Sequence, residues 1–133
     1  MFDLTGRIAV VTGASAGLGR GEAIALARQG ADVAIIARRA EKLDEVAAEI
    51  RGLGRRCLPV VCDVTEPEQI ESAIGQVIAE YGKVDILVNN TGGGGGGRER
   101  FDGLTGEYID KIFSLNVYSI FRFSRFCLPY MKS

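Results

Sequence analysis

Four short apolar runs, Ile8 to Val11, Val33 to Ala37, Leu58 to Val61 and Ile86 to Val88, recur along the chain, and each interval between them is long enough for a helix. This alternation restricts the fold more than any other feature of the sequence. Runs so short and so continuously apolar suit strands buried on both faces. The intervals carry helical periodicity instead. The first, about Gly17 to Gln29, closes at Gly30, and its Ala23 and Ala27 permit close approach to a sheet. The second, about Ala40 to Arg51, sets Leu43, Val46, Ala47 and Ile50 on one face and ends near Gly52. The third repeats Ile70, Ala73, Ile74, Val77, Ile78 and Tyr81 at helical spacing before Gly82. Thr65 and Glu68 stand at the spacing of a capping box, with Pro67 in the first turn. A fourth helix is expected from Thr105 to about Met131, with Ile109, Ile112, Phe113, Asn116, Ile120 and Phe123 at three- and four-residue intervals and Pro129 in its last turns.

Strand and helix alternating four times imply parallel strands joined by right-handed crossovers, with helices on both faces. The expected fold is α/β, a Rossmann-type doubly wound parallel sheet in the spatial order third, second, first, fourth strand. Its switch point lies between the first and fourth strands. A ligand would bind there, outside the carboxyl ends of the strands.

At 133 residues the chain, 1–133, is expected to form one domain, and 47% hydrophobic with 25% charged residues supports a packed core. Sixteen basic against seventeen acidic residues leave a formal charge of -1, which predicts no broad attraction to nucleic acid or to an anionic membrane. No apolar run approaches a membrane span, and the first strand begins at about Arg7, too early for a signal peptide; a cytoplasmic protein is expected. The chain has no histidine, and Cys57, Cys62 and Cys127 form no CxxC pair, so zinc sites and Ser-His-Asp chemistry are disfavoured and no metal is expected. Cys57 and Cys62, five residues apart on one strand, should face opposite ways and act as apolar filler. Six consecutive glycines, Gly92 to Gly97, read as a flexible loop after the fourth strand.

The first strand runs into Thr12-Gly13-Ala14-Ser15-Ala16-Gly17-Leu18-Gly19, and a helix follows at once. Glycines in such a turn let a ligand come close to the backbone, and the unpaired amides of the helix's first turn can receive a pyrophosphate. The spacing is GxxxGxG, which is neither a P-loop nor GxGxxG. Thr12 to Gly19 resembles the TGxxxGxG cofactor motif of the short-chain dehydrogenase/reductase family. Asp63-Val64 after the third strand resembles that family's adenine-contacting pair. Asn89-Asn90-Thr91-Gly92 resembles its NNAG motif, with threonine in place of alanine, and Asn116 falls where the family's catalytic asparagine lies. The four signals occur in the family's order over nearly the whole chain.

The resemblance implies a nicotinamide dinucleotide held by Thr12, Gly13, Ser15, Gly17, Leu18, Gly19, Asp63, Val64, Asn89 and Gly92. Asn116 is the one catalytic residue it implies, positioning a water in a proton relay. An acid at the end of the second strand would bind the 2'-hydroxyl of NAD, whereas a cation favours the extra phosphate of NADP. The chain has Ala37, Arg38 and Arg39 there. NADP is therefore expected over NAD, with Arg38 and Arg39 as added contacts and Ser15 as a hydroxyl donor.

In the family, hydride passes between nicotinamide and a carbonyl or alcohol carbon while a tyrosine transfers the proton, assisted by a lysine four residues later and by a serine. Four residues after Tyr81, Tyr108 and Tyr118 stand Asp85, Ile112 and Arg122, so these residues lack that pair. The expectation is the cofactor-binding half of an NADP-dependent oxidoreductase, its sheet truncated after the fourth strand and the helix that follows. A non-catalytic NADP-binding or oligomerisation module is the alternative. A fourth strand left as an edge, and Phe113, Phe121, Phe123 and Phe126 on one helix, point to a homo-oligomer.

Overall fold

A computed structural model of the chain describes residues 3–91 and 105–131. Its centre is a parallel sheet of β1 (Ile8–Thr12), β2 (Asp32–Ala37), β3 (Cys57–Val61) and β4 (Ile86–Val88), in the order β3-β2-β1-β4. That is the predicted order. Between the strands run α1 (Gly17–Arg28), α2 (Ala40–Gly52) and α3 (Pro67–Tyr81). After β4 come α4 (Gly106–Phe113), a π-helical stretch Ser114–Tyr118, α5 (Ser119–Cys127) and a 3-10 turn Leu128–Tyr130.

Because side chains alternate along a strand, the sheet feeds two cores. Ala9, Val11, Val33, Ile35 and Ala37 pack with Ala23 and Ala27 of α1 and with Leu43, Val46, Ala47 and Ile50 of α2. Val10, Ala34, Ile36 and Val60 pack on the other face with Ile70, Ala73, Ile74 and Val77 of α3 and Phe123 of α5. Cys57 opens β3 and belongs to the first core, while Cys62 lies one residue past the end of that strand, not on it as expected, and belongs to the second core. All three thiols are free and buried, and burial pushes Cys57 up to about 12 and both Cys62 and Cys127 up to about 11. They remain protonated filler at neutral pH.

Two local expectations need correction. Thr65 does not cap α3: the N-cap position is Glu66, with no side-chain bond to the helix. Thr65 instead donates its hydroxyl to Asp63 Oδ1 at 2.7 Å, and its N–H to the same oxygen at 3.0 Å. The Asp63 carboxylate thus gathers both Thr65 donors in an Asx turn, and the helix begins one residue later than a capping box at Thr65 requires. The fourth helix is not uniform either. Thr105 Oγ1 does cap α4 by accepting from Tyr108 N at 3.1 Å, but the π-helical stretch interrupts the helix at its middle. Ile109, Phe113 and Ile120 are exposed, and α4 has no buried residue.

At the sheet's amino end, Asp85 joins β1 to β4. Its N–H donates to Ile8 O and its Oδ2 accepts from Ile8 N, both at 2.8 Å, while Lys83 Nζ lies 2.9 Å and Arg7 3.5 Å from the carboxylate. Burial opposes the charge, but the Ile8 amide and Lys83 outweigh it and hold the carboxyl below its usual range. The ionised form therefore contributes stability above the unfolded value of about 3.9, and this contribution is lost as pH falls through the lower folded value. Asp85→Asn, which keeps the shape and loses the charge, should cost about 1 kcal/mol at pH 7. Urea titrations should show the gap between the two proteins shrinking below pH 4; a gap independent of pH would contradict this account.

Candidate functional site

The carboxyl ends of β1, β2 and β4 open onto a cleft of about 290 Å³ at the switch point. Its walls are Gly13 and Ala16 from the opening turn, Ala37 and Arg38 from β2, Cys62 and Val64 after β3, Asn90 and Thr91 after β4, and Leu115 from the π-helical stretch.

The floor is a set of bonds between two turns far apart in sequence. Thr12 is buried, and its hydroxyl donates to Val88 O at 3.4 Å while accepting from Asn90 N at 3.0 Å and Thr91 N at 3.2 Å. One donor and two acceptor positions are thus filled, the full capacity of a hydroxyl. Thr12 locks the end of β1 to the end of β4 rather than presenting its own group to the cleft. Asn90 adds a second tie, donating from Nδ2 to Gly13 O at 3.4 Å. Gly13 adopts φ +64°, a region an L side chain seldom enters. At Gly19 the constraint is space, because an added Cβ would press on the Gly13 carbonyl and stand 2.5 Å from Asn90 Nδ2.

Gly17 begins α1 after the extended N-cap residue Ala16, and neither a side-chain cap nor a first-turn acid occupies that helix end. Such an amino terminus, carrying partial positive charge and unbonded N–H groups, suits an anion. Ser15 is half-buried in the turn, and Leu18 lies 79% exposed, beside the helix's opening. A glycine cradle and an open helix terminus together fit a pyrophosphate.

Arg38 and Arg39 are exposed at the end of β2, and Arg38 lines the cleft. Across from it Asp63 is held below the usual carboxylate range, chiefly by the Thr65 hydroxyl bond against the opposing effect of burial, with Arg38 and Lys111 adding attraction. Val64 is buried beside it as part of the wall. Asn89 turns away from the cleft's lining, its Nδ2 reaching Ser124 Oγ at 3.4 Å. Gly92 lies outside the described residues, as does the whole Gly92 to Gly97 run.

Asn116 sits inside the π-helical stretch, where its Nδ2 donates to Ile112 O at 3.0 Å. Ser119 Oγ does the same toward Leu115 O at 2.7 Å. A π turn removes carbonyls from the regular helical ladder, and these two side chains recover them. Ala16, Cys62, Asn90, Thr91 and Leu115 line the cleft although they are not among the site residues expected from the sequence; Asn90 and Thr91 stand inside the quoted motif, and Leu115 immediately precedes Asn116. Tyr118 and Arg122 meet by ring stacking, the guanidinium carbon 5.6 Å from the ring centre.

Among the described residues no group of acidic, cysteine or histidine side chains could hold a metal ion, and no helix is long and apolar enough to cross a membrane.

Comparison with known proteins places this geometry. A family model described as short chain dehydrogenase matches residues 7–133. The 7alpha-hydroxysteroid dehydrogenase of Escherichia coli strain K12 is 37% identical over 129 residues, covering 97% of this chain and 49% of the relative. The crystal structure of L-sorbose reductase from Gluconobacter frateurii, complexed with NADPH and L-sorbose, superimposes with a TM-score of 0.92 at 33% identity, covering 98% of this chain and 49% of that one. A 7alpha-hydroxysteroid dehydrogenase complexed with NADH and 7-oxo glycochenodeoxycholic acid gives a TM-score of 0.91 at 37% identity, with 97% and 49% covered. The chain spans about half the length of the relatives it matches.

Proposed function

This chain belongs to the short chain dehydrogenase family, and on that premise we propose that residues 1–133 are one domain, the dinucleotide-holding half of an NADP-dependent oxidoreductase. The observation that carries this reading is the cradle at the end of β1: an uncapped helix terminus, the Gly13–Gly19–Asn90 cluster, and Arg38 on the same cleft. The pyrophosphate takes the α1 amides, with Gly17, Leu18 and Ser15 around it. Adenosine extends toward β2 and β3, between Arg38 and the Asp63-Val64 pair. Thr12 and Asn89 serve the site from behind by holding β1, β4 and α5 in place. Gly92, outside the described residues, is assigned to the cofactor site by its motif alone.

The bound nicotinamide would supply hydride chemistry for a small carbonyl or alcohol substrate. Asn116 is the residue of this chain we assign to the reacting end, holding a water for proton relay from a π turn in which its Nδ2 donates to Ile112 O. Tyr81, Tyr108 and Tyr118 have no lysine four residues on, so we assign these residues the binding role. Binding without turnover is the second reading, and a carbonyl panel assayed with NADPH separates the two. We further read the protein as cytoplasmic, without a nucleic-acid or membrane partner, and self-associating through the exposed side chains of α4 and α5, among them Phe113, Phe121 and Leu128.

Cofactor choice rests on this chain's own residues, since the two solved relatives carry different dinucleotides. A guanidinium paired with a phosphate contributes about 1.5–3 kcal/mol. Arg38→Ala should therefore weaken NADPH by about tenfold to a hundredfold and leave NADH unchanged. Calorimetric titration reads both. Equal affinity of the native chain for the two dinucleotides would refute the NADP assignment.

A further inference from the structure

We propose that the Thr91 hydroxyl is a hydrogen-bond partner for the ribose on the nicotinamide side of the bound dinucleotide, an inference that rests on the nucleotide-binding reading above. Thr91 Oγ1 is buried and has no hydrogen-bond partner among the described residues. The residue nevertheless lines the cleft, and its backbone is held in place by the 3.2 Å bond from its N–H to Thr12 Oγ1. A hydroxyl buried without a partner is unfavourable by more than an ordinary hydrogen bond is favourable. Because Thr91 lines the cleft, rotation about χ1 is the small movement by which its hydroxyl would meet a ligand there. A ligand able to both donate and accept at that wall relieves the cost.

The sheet order identifies which part of the ligand reaches this wall. A pyrophosphate at the α1 terminus lies over the end of β1, and Arg38 with Asp63 draws the adenosine toward β2 and β3. The second nucleoside must then extend the opposite way, over β4, whose carboxyl end leads directly into Thr91. There its ribose offers hydroxyls that can donate or accept. NADP and NAD carry the same ribose at this end, so the contribution of Thr91 is blind to the 2'-phosphate that Arg38 reads.

The test is titration of the native chain, Thr91→Val and Thr91→Ser with NADPH, NADH and adenosine 2',5'-bisphosphate, which is the adenosine half alone. Thr91→Val should weaken NADPH and NADH by the same factor, about fivefold to tenfold, and leave the bisphosphate unchanged. Thr91→Ser, which keeps the hydroxyl, should bind all three within about twofold of the native chain. Thermal unfolding of the ligand-free Thr91→Val protein should occur no lower than that of the native chain, because an unpaired buried hydroxyl is removed. Native-like NADPH affinity in Thr91→Val overturns the inference alone. So does equal weakening of NADPH and the bisphosphate, which would place the effect in the shared turn. A native chain that binds none of the three ligands overturns the nucleotide-binding reading and the inference with it.

Discussion

Gly19→Val should unfold the opening turn and abolish nucleotide binding, at a cost of about 3 kcal/mol or more. The reason is that the nearest atom to Gly19 belongs to the main chain and cannot rotate away. Its missing Cβ would press on the Gly13 carbonyl, stand 2.8 Å from the Gly13 carbonyl carbon and 2.5 Å from Asn90 Nδ2. The Asn90 amide can swing aside at the loss of its bond to Gly13 O, but the Gly13 carbonyl is main chain, in a turn set by the left-handed φ of Gly13 and by the bond from Ala14 N–H to Ile36 O. Relief of the overlap therefore means displacing the main chain of the opening turn itself. Gly21, two residues on, is the control, since a Cβ there meets no atom within 4 Å. Gly21→Ala should stabilise the chain by about 0.5–1 kcal/mol through helix propensity and reduced unfolded-state entropy. Thermal unfolding of both variants with NADPH titration separates steric overlap from a general intolerance of α1. Comparable behaviour of the two would refute the steric account.

Phe123→Ala should cost about 3–5 kcal/mol, a large part of the roughly 5–15 kcal/mol that holds a domain of this size together. Phe123 is the largest fully buried side chain among the described residues, 1% exposed, and it packs α5 onto the face formed by Val10, Ala34, Ile36 and α3. Removing the ring leaves a cavity that a sheet and a helix cannot collapse to fill. Its neighbour Ser124 meets Asn89, so a loosened α5 should also disturb the end of β4. Phe121, two residues away, is 71% exposed. Phe121→Ala should leave the stability of the monomer within about 0.5 kcal/mol and reduce self-association instead. Urea unfolding and sedimentation over a range of concentrations measure the two effects. Equal destabilisation by both substitutions would mean that α5 is not docked as described.

The two variants also mark where sequence reading succeeded and where it stopped. Apolar runs of four or five residues separated by amphipathic segments were enough to give four strands, their crossover helices and the order β3-β2-β1-β4, because strand and helix periods report burial locally. The stripes Leu43, Val46, Ala47, Ile50 and Ile70, Ala73, Ile74, Val77 proved to be core faces. In the last helix the same method overreached. Apolar residues at three- and four-residue intervals from Ile109 to Phe123 assume an even helical pitch, which the π-helical stretch at Ser114–Tyr118 breaks; Phe123 is buried while Ile109, Phe113 and Ile120 are exposed.

The linear chain by itself determined the secondary elements, their parallel arrangement and the glycine turn that opens the cleft, since each depends on the chemistry of neighbours a few residues apart. Tertiary structure alone decided what Thr12, Asn90 and Thr91 do. Their partners lie 76 to 79 residues away and meet only through the register that sets Val11 beside Val88. A hydroxyl has the same local preferences whether it ends tied, as in Thr12, or buried and unpaired, as in Thr91. The difference arises from which backbone groups two strands bring together, and that is a property of the folded sheet.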